Sequence, residues 1–277
     1  MSDSARDSVT LDYLWLDVEV TTQPAVLSLL GNSGESTIHT RETLRIAVSP
    51  SASGGWIAEI GLRRYRAADD LDLGELVYGA VHDRVAYWAR EEGWMRIHAG
   101  LADIAGRRIM IAGPSGVGKT TTMVQLAAAG ATVLGDEAVL IRDRDAIALP
   151  RPFHAKHAGR GIRGLNPEAV STVLDYPDPI AILDPAVING IVVLRHAPAP
   201  IDLIVLLERG DPPLREPEVE AATGGDAIVA LAPDAGPFTA DRGELLRSVI
   251  RLVESAPVVK LRMAAPDETA RAIMDLP

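Results

Sequence analysis

The chain has 277 residues, of which 47% are hydrophobic, which is enough for one large α/β domain or for a core domain with a smaller one. It contains no cysteine, so disulfides, thiolate metal sites and cysteine nucleophiles are excluded. The formal net charge of -11 argues against nucleic acid as a partner, because binding to a phosphate backbone needs clustered lysine and arginine.

The N-terminal sequence predicts a soluble, cytoplasmic protein. Acidic residues occur early in "MSDSARDSVTLDYLWLD", and no apolar run lies between a basic start and a small-residue cleavage site, so no secretory signal is predicted. No uncharged apolar stretch reaches the length of about 18 residues that a membrane span requires. We therefore expect no membrane partner. The sequence leaves the oligomeric state open, a homo-oligomer included.

The first 70 residues predict a small β-rich domain. Short β-like runs are separated there by clusters of glycine, serine and proline such as "SPSASGG". The runs lie at 9–20, 43–49 and 56–66.

A long helix is predicted next, over residues 72–92. Apolar residues recur there at helical intervals, and Gly93 ends the pattern. We expect this helix to bridge the β-rich domain, residues 1–70, to a larger domain, residues 71–277.

The remaining sequence alternates strands, turns and helices, which predicts an α/β fold. The segment "MRIHAGLADIAGRRIMIAG" predicts a hairpin that turns near Asp103 to Gly106 and carries His98 on its first strand. A second hairpin is predicted in "AVLIRDRDAIALP". Further strands are predicted in "VINGIVVLR", "IDLIVLLE" and "VVKLRM", and helices in "DRGELLRSVIRLVESAP" and "PDETARAIMDL".

The stretch "GPSGVGKT", Gly113 to Thr120, matches the phosphate-binding pattern G-x-x-x-x-G-K-[ST] between a predicted strand and a predicted helix. Its glycines let successive N–H groups point inward, and the helix N-terminus adds the positive end of its dipole. Lys119 supplies a cation for the β- and γ-phosphates, and Thr120 supplies a hydroxyl for Mg²⁺. The pattern predicts that a nucleoside triphosphate binds to Gly113, Pro114, Ser115, Gly116, Val117, Gly118, Lys119, Thr120 and Thr121.

Two adjacent acidic residues, Asp136 and Glu137, end the next predicted strand. An acid at this distance from a phosphate loop can hold Mg²⁺ directly or through water, so Asp136 is a predicted metal ligand together with Thr120. Adjacent residues at a strand end point to opposite sides, so the other carboxylate is able to take the proton of an alcohol acceptor. Both acids are also typical of an ordinary turn before a hairpin, and which of them would act as the base stays open.

His98 and a basic cluster are further candidates. A histidine on the strand before the glycine loop is either an active-site residue or a satisfied core residue. The cluster would clamp phosphate oxygens or a substrate carboxylate, or else form a solvated loop. Within it, Lys156 and Arg163 are the predicted nucleotide-binding residues. The cluster is "RPFHAKHAGRGIRG", with His154, Lys156, His157, Arg160 and Arg163.

The run "IHAGLADIAGRRIMIAGPSGVGKTTTMVQLAAAGATVLGDEAVLI" resembles the C-terminal catalytic domain of HPr kinase/phosphorylase and of the serine kinases related to it. The shared features are His98, the glycine loop, Gly130 at the helix end, and the pair Asp136 and Glu137. The resemblance implies a P-loop kinase core of the HPr kinase/phosphoenolpyruvate carboxykinase type, beside the small β-rich N-terminal domain. It also implies that His98, Lys119 and the acidic pair are catalytic, and that one carboxylate accepts the proton of a serine hydroxyl.

The sequence departs from HPr kinase itself in three places, although the related serine kinases also tend to have Asp-Glu at the first of them. HPr kinase has two aspartates where this chain has Asp136 and Glu137. The family motif "EIRGLG" is echoed by "GIRGL", with Gly161 in place of the glutamate that binds Mg²⁺, so phosphorylase activity is less expected. The first 70 residues do not resemble the family's N-terminal domain, so a different mode of acceptor recognition is expected.

These observations predict an ATP- and Mg²⁺-dependent kinase that phosphorylates a hydroxyl, with a serine of a peptide or protein as the acceptor. Some members of the related group phosphorylate the C-terminal serine of lasso precursor peptides, and others act on free metabolites. A small hydroxylated metabolite is therefore an alternative acceptor. A non-catalytic nucleotide-binding switch is a second alternative, and it would predict slow hydrolysis and no phosphate acceptor. The preference for ATP over GTP stays open.

Overall fold

The computed structural model shows a mixed α/β arrangement with several sheets. No helix among the described residues is both long enough and apolar enough to cross a bilayer. The described residues are 7–22, 34–156, 162, 165–174, 179–191, 193–210, 214–233, 235–236 and 242–277.

Strands supply most of the secondary structure. They are β1 (Asp7–Tyr13), β2 (Leu16–Thr22), β3 (Glu35–Ser36), β4 (Glu42–Pro50), β5 (Trp56–Ile60), β6 (Arg63–Ala67), β7 (Met95–Ile97), β8 (Gly100–Ile104), β9 (Arg107–Ala112), β10 (Thr132–Gly135), β11 (Val139–Arg142), β12 (Asp145–Ala148), β13 (Phe153–Ala155), β14 (Val170–Leu174), β15 (Ile180–Leu183), β16 (Arg195–His196), β17 (Ala199–Pro200), β18 (Leu203–Arg209), β19 (Glu218–Ala221), β20 (Ala235–Gly236) and β21 (Val258–Met263). The helices are α1 (Asp70–Glu91), α2 (Lys119–Ala128), α3 (Pro185–Ile188), α4 (Gly224–Leu231), α5 (Arg242–Ser255) and α6 (Pro266–Met274).

The N-terminal residues form a five-stranded sheet in the order β1-β2-β4-β5-β6. β2 and β4 are parallel, and the other neighbours are antiparallel. The predicted β-like run 9–20 is a hairpin rather than one strand, because Leu14 adopts a positive φ of 65° in the turn between β1 and β2. The strands predicted at 43–49 and within 56–66 are confirmed as β4, β5 and β6.

Helix α1 follows this sheet and packs on it. The Asp69 carboxylate accepts a hydrogen bond from the Asp72 backbone N–H at 3.0 Å, which stabilises the first turn. Gly93 has a φ of 78° just past the end, as glycine commonly has after a helix. The helix, Asp70–Glu91, therefore begins and ends slightly earlier than the predicted limits of 72 and 92. Its buried stripe includes the predicted residues Leu73, Val77, Val81 and Val85.

A six-stranded sheet in the order β10-β8-β9-β18-β21-β19 carries the glycine loop. β9, β18 and β21 run parallel, so their carboxyl ends meet at one edge of the sheet. The predicted hairpin that turns before Gly106 is confirmed as β8 and β9. The strands predicted in "IDLIVLLE" and "VVKLRM" are confirmed as β18 and β21, and the two C-terminal helices as α5 and α6.

A second five-stranded sheet has the order β17-β12-β11-β7-β20, and its β11 and β12 form the second predicted hairpin. Three of the short segments in which the chain passes between sheets matter for the site: 98–99 joins β7 to β8, 136–138 joins β10 to β11, and 149–152 joins β12 to β13. We call these the crossing segments. The prediction that His98 lies on the first strand of the hairpin is therefore wrong. His98 lies between two strands of different sheets, because β7 pairs with β11 whereas β8 pairs with β9.

The prediction of a strand in "VINGIVVLR" is wrong over most of its length. The segment begins inside helix α3, because Pro185 favours the first helical turn and the Asp184 carboxylate caps it by accepting the Ala186 N–H at 2.8 Å. Within that segment only Arg195 belongs to a described strand, the short β16 that pairs with β3.

The six-stranded sheet is covered on both faces. Successive residues of β9 alternate between two cores: Ile109 and Ile111 pack with α2 and α6, whereas Met110 and Ala112 pack with α4, α5 and the second sheet. A third core lies between the N-terminal sheet, α1 and the hairpin β11–β12. The division of the chain into domains 1–70 and 71–277 stays a prediction.

Candidate functional site

The glycine loop connects the end of β9 to the start of α2. Gly118, the residue before the helix, has a φ of 122°, which residues with a side chain rarely adopt. At Gly113 a Cβ atom would lie 2.7 Å from the Leu207 carbonyl oxygen of the neighbouring strand β18. Both positions therefore require glycine, and together they let the loop curl tightly against the sheet before it enters α2.

Lys119 and Thr120 begin α2 and face back towards the loop. The Lys119 ammonium donates hydrogen bonds to the carbonyl oxygens of Gly113, at 2.7 Å, and Pro114, at 3.3 Å. Only 6% of Lys119 is exposed, so its charge is held in place over the loop. The Thr120 hydroxyl donates to Asp136 Oδ2 at 2.6 Å. This hydrogen bond brings the glycine loop and the first acidic residue together, as the sequence predicts.

Asp136 is a buried carboxylate in the crossing segment after β10, with 4% exposure. Its Oδ1 atom is also buried and has no hydrogen-bond partner among the described residues. Burial raises the pKa of Asp136 to about 6, against the opposing effects of Arg151 and of the Thr120 hydrogen bond. A buried carboxylate oxygen without a partner is a group that a bound cation would satisfy.

Glu137 lines the same cavity and lies against Arg151. Arg151 Nη1 is 2.7 Å from Glu137 Oε2, and 37% of the Glu137 side chain is exposed. Burial alone would raise the pKa of Glu137, but the positive charge of the nearby Arg151 holds it below its usual value. The two adjacent acids thus have different environments: Asp136 is a buried carboxylate with an oxygen available to a cation, whereas Glu137 is a partly exposed carboxylate paired with an arginine.

A cavity of about 470 Å³ collects most of the predicted site residues. The glycine loop, the start of α2, two crossing segments and strand β13 each contribute to its wall. The predicted residues that line it are His98, Ser115, Gly116, Gly118, Lys119, Thr120, Thr121, Asp136, Glu137, His154 and Lys156.

Six predicted residues are not placed in this cavity. Val117 is buried in the core under α2, and Gly113 and Pro114 line a separate cavity of about 490 Å³ on the other side of the loop. His157, Arg160 and Arg163 lie outside the described residues, as does Gly161 of the "GIRGL" segment. The remaining cluster members, His154 and Lys156, line the cavity, the first on β13 and the second directly after it.

Two histidines line the acidic end of the cavity. His98 is half-buried in the crossing segment 98–99, and His154 is half-buried on β13. Burial, aided by the nearby Arg151, lowers the pKa of His154 to about 4. His154 is therefore neutral at physiological pH.

Two arginines at the site carry no sequence motif. Arg209 ends β18 and lines the cavity, where it donates hydrogen bonds to the carbonyl oxygens of Gly116, at 2.7 Å, and Val117, at 3.2 Å. A signal for Arg209 does exist, because it follows a buried strand, and parallel strands of such a sheet end at the same edge as the glycine loop. Arg151, between two prolines, offers no comparable signal.

No protein-family model matches the chain. The chain is 30% identical over 115 residues to the HPr kinase/phosphorylase of Caldanaerobacter subterraneus subsp. tengcongensis, a match to 42% of this chain. It spans about a third, 33%, of the length of that curated relative. The solved HPr(Ser) kinase/phosphatase of Coxiella burnetii matches 65% of this chain and 86% of its own, at 14% identity and a TM-score of 0.35. The curated relative confirms the predicted resemblance: over part of its length, the chain is similar to HPr kinase/phosphorylase.

Proposed function

We propose that the protein is a kinase that transfers the γ-phosphoryl group of ATP, with Mg²⁺, to the hydroxyl of a serine in a peptide or protein. One observation carries the proposal. Asp136 accepts a hydrogen bond from the Thr120 hydroxyl at the glycine loop, and its other carboxylate oxygen is buried without a partner among the described residues. Glu137 lines the same cavity. A phosphate loop, a cation ligand and a further carboxylate are the groups that phosphoryl transfer to an alcohol requires.

The glycine loop and the N-terminus of α2 would bind the phosphates of the nucleotide. Backbone N–H groups at a helix N-terminus and the positive end of its dipole favour anions there. Lys119 would exchange its hydrogen bonds with loop carbonyls for the phosphate oxygens, because its ammonium already lies over the loop. Arg209 keeps Gly116 and Val117 in place and adds a second positive charge at the cavity wall.

Thr120 and Asp136 would hold Mg²⁺. The Thr120 hydroxyl donates a hydrogen bond to Asp136 Oδ2, so its oxygen lone pairs can face a cation. Proteins commonly bind Mg²⁺ through one or two oxygen ligands of their own, with substrate phosphates and water completing the octahedron. When bound, the ion would neutralise charge on the phosphates during transfer.

Glu137 would be the general base. Asp136 is engaged by Thr120, whereas Glu137 lines the cavity with its side chain partly exposed. In the transfer, the acceptor oxygen forms a bond to the γ-phosphorus and the bond from that phosphorus to the β,γ-bridging oxygen breaks. ADP leaves with the electron pair of the broken bond, and the hydroxyl proton passes to the Glu137 carboxylate.

The choice of acceptor is supported by the curated relative, which is by name a kinase and phosphorylase of HPr. The lasso precursor peptide is the narrower form of this proposal, with its C-terminal serine as the acceptor. We further propose that the protein acts in the cytoplasm.

The experiment that tests this function is incubation of the full chain with γ-labelled ATP and Mg²⁺. The acceptors should include peptides ending in serine, HPr, free serine and other hydroxylated metabolites, and mass spectrometry detects the addition of one phosphoryl group. A labelled serine peptide or protein supports the proposal, and labelled metabolites alone would move the assignment to a small-molecule kinase. Nucleotide binding without transfer to any acceptor would instead favour a nucleotide-binding switch.

A further inference from the structure

Arg151 is a buried arginine next to the acidic end of the cavity. Only 3% of it is exposed, although it lies in the crossing segment 149–152. Its Nη1 atom is 2.7 Å from Glu137 Oε2 and donates a hydrogen bond to the Tyr78 hydroxyl at 2.9 Å. Its Nε donates to the Pro152 carbonyl oxygen at 3.2 Å. The guanidinium is thus fixed by contacts to a helix, to its own segment and to the acid.

Tyr78 connects this arginine to helix α1. The centre of its ring lies 4.6 Å from Arg151 Cζ, so the ring face and the hydroxyl both contact the guanidinium. Neighbouring turns of α1 pack Leu73 and Val77 into the core shared with the N-terminal sheet. The position of the guanidinium is therefore set by a well-packed helix outside the cavity.

We infer that Arg151, held by Tyr78, positions the Glu137 carboxylate for proton transfer from the acceptor hydroxyl. The inference rests on the proposed kinase function. Arg151 is not among the described residues that line the cavity, so it acts through Glu137 and is a positioning residue. The planar guanidinium can fix the orientation of a carboxylate, whereas a lysine ammonium is a point charge that does so less well.

The geometry explains why such a residue is needed. A glutamate has three rotatable side-chain bonds, and with 37% of the Glu137 side chain exposed, packing restricts it only in part. A general base must lie within hydrogen-bond reach of the proton that it takes, and misplacement by about 1 Å can cost on the order of 100-fold in rate. The contact with Arg151 supplies the restriction that the cavity wall does not.

The first test uses two mild variants, Tyr78→Phe and Arg151→Lys. We measure kcat for hydrolysis of Mg·ATP, with water as the acceptor, together with the Kd of a non-hydrolysable ATP analogue and the melting temperature. Each variant is expected to lower kcat by about 10- to 100-fold, as the loss of groups that orient catalytic ligands typically does. The Kd should not change, because neither residue contacts the glycine loop in the described structure.

Two matched variants serve as controls. Tyr87→Phe removes a tyrosine hydroxyl from the same helix at a residue that is 40% exposed. Arg142→Lys changes an arginine whose Cζ also lies 4.6 Å from an aromatic ring centre, that of Trp94, away from the cavity. Both controls should keep the kcat of the unmodified chain.

A double-mutant cycle with Glu137→Gln separates positioning from a general structural role. If Arg151 acts through Glu137, then Arg151→Lys should have little further effect on kcat once Glu137 is Gln. Without nucleotide, the melting temperatures should show the same non-additivity, because both substitutions weaken one contact.

The outcomes are distinguishable. If the unmodified chain neither hydrolyses ATP nor transfers phosphate, the proposed function fails, and this inference fails with it. If instead the unmodified chain is active and Lys119→Ala is inactive, the proposed function stands. The inference alone is then overturned if Tyr78→Phe and Arg151→Lys keep full kcat. It is also overturned if they lower the kcat of Glu137→Gln by the same factor as that of the unmodified chain. A rise in Kd with unchanged kcat would also contradict it.

Discussion

The glycine loop and the crossing segments build the two ends of the candidate site in different ways. The loop and the start of α2 place near neighbours in the sequence around one end of the cavity, namely Ser115, Gly116, Gly118, Lys119, Thr120 and Thr121. At the other end, His98, the acidic pair and Arg151 come from three segments that meet only because the chain changes sheets at each of them. Phosphate binding is therefore encoded locally, whereas the environment of the proposed base depends on how the strands pair.

The largest effect is expected at the loop. Lys119→Ala removes the ammonium that lies over the loop carbonyls, so phosphate transfer should fall by about 1,000-fold or more. The fold should persist, because Lys119 serves the loop rather than an apolar core. Lys260→Ala is the matched control, since Lys260 pairs with Asp226 outside the cavity. Transfer that survives in Lys119→Ala would remove the phosphate role of the loop.

Asp136→Asn should uncouple activity from stability. Loss of the carboxylate should reduce transfer by about 100- to 1,000-fold, because a neutral amide is a poor ligand for Mg²⁺. The folded pKa of Asp136, about 6, is above the ordinary value of 3.8, so its charged form costs stability above pH 6. The variant should therefore have a free energy of unfolding at pH 8 that is higher by up to about 3 kcal/mol.

This gain should shrink as the pH falls towards 4, because Asp136 of the unmodified chain takes up a proton in the folded state near pH 6 but in the unfolded state only near 3.8. Denaturant unfolding at the two pH values measures it, and Asp143→Asn, at an exposed aspartate, is the control. Destabilisation of Asp136→Asn at pH 8 would contradict the electrostatic strain assigned to this carboxylate.

The same contrast decides which site residues were predictable. The contact between Thr120 and Asp136 follows from sequence, because a short helix and strand return the chain to the mouth of the loop. His98 was placed beside the loop but on the wrong element, since a change of sheet between β7 and β8 has no local signature. Arg151 and Arg209 depend on the route from β12 to β13 and on the parallel pairing of β18 with β9.

The fold was predictable to a similar extent. Strong periodicity identified α1, the two hairpins and the final strand and helix. The strand prediction for the segment after Asp184 is wrong. The helix there is so short that its aspartate cap and first-turn proline are a weaker signal than the apolar, β-branched composition, which favours a strand. Sheet membership could not be predicted, because it is decided by contacts between strands that are far apart in the sequence.

Arg209 is distant from the glycine loop in the sequence, but its side chain supports the loop. Arg209→Ala removes the hydrogen bonds to Gly116 and Val117, so the loop should lose part of its preorganised shape. We expect the Kd of Mg·ATP to rise by about 10-fold, with little change in melting temperature, because the side chain is exposed. Titration calorimetry measures the change, and Arg215→Ala, at another exposed arginine, is the control. An unchanged Kd would show that the loop holds its shape alone.

The smallest effect is expected at His154, and only in acid. Its folded pKa of about 4 is below the ordinary value of 6.5, so the unfolded state binds a proton first as the pH falls. Wild-type stability attributable to neutral His154 is thus complete above pH 6.5 and is lost between there and pH 4. A shift of this size is worth up to about 3 kcal/mol.

Asp136 changes stability in the opposite direction between pH 6 and 4, so the wild-type profile alone would conceal the contribution of His154. His154→Asn should therefore be compared with the wild type by denaturant unfolding at pH 7.5 and pH 4.5, without nucleotide, because a bound ligand would shift both curves. Relative to wild type, the variant should gain stability on acidification, and His39→Asn, at an exposed histidine, should not. Equal slopes for all three proteins would mean that His154 is not held neutral by burial beside Arg151, and the contrast between a buried acidic end and a preformed loop would lose its electrostatic basis.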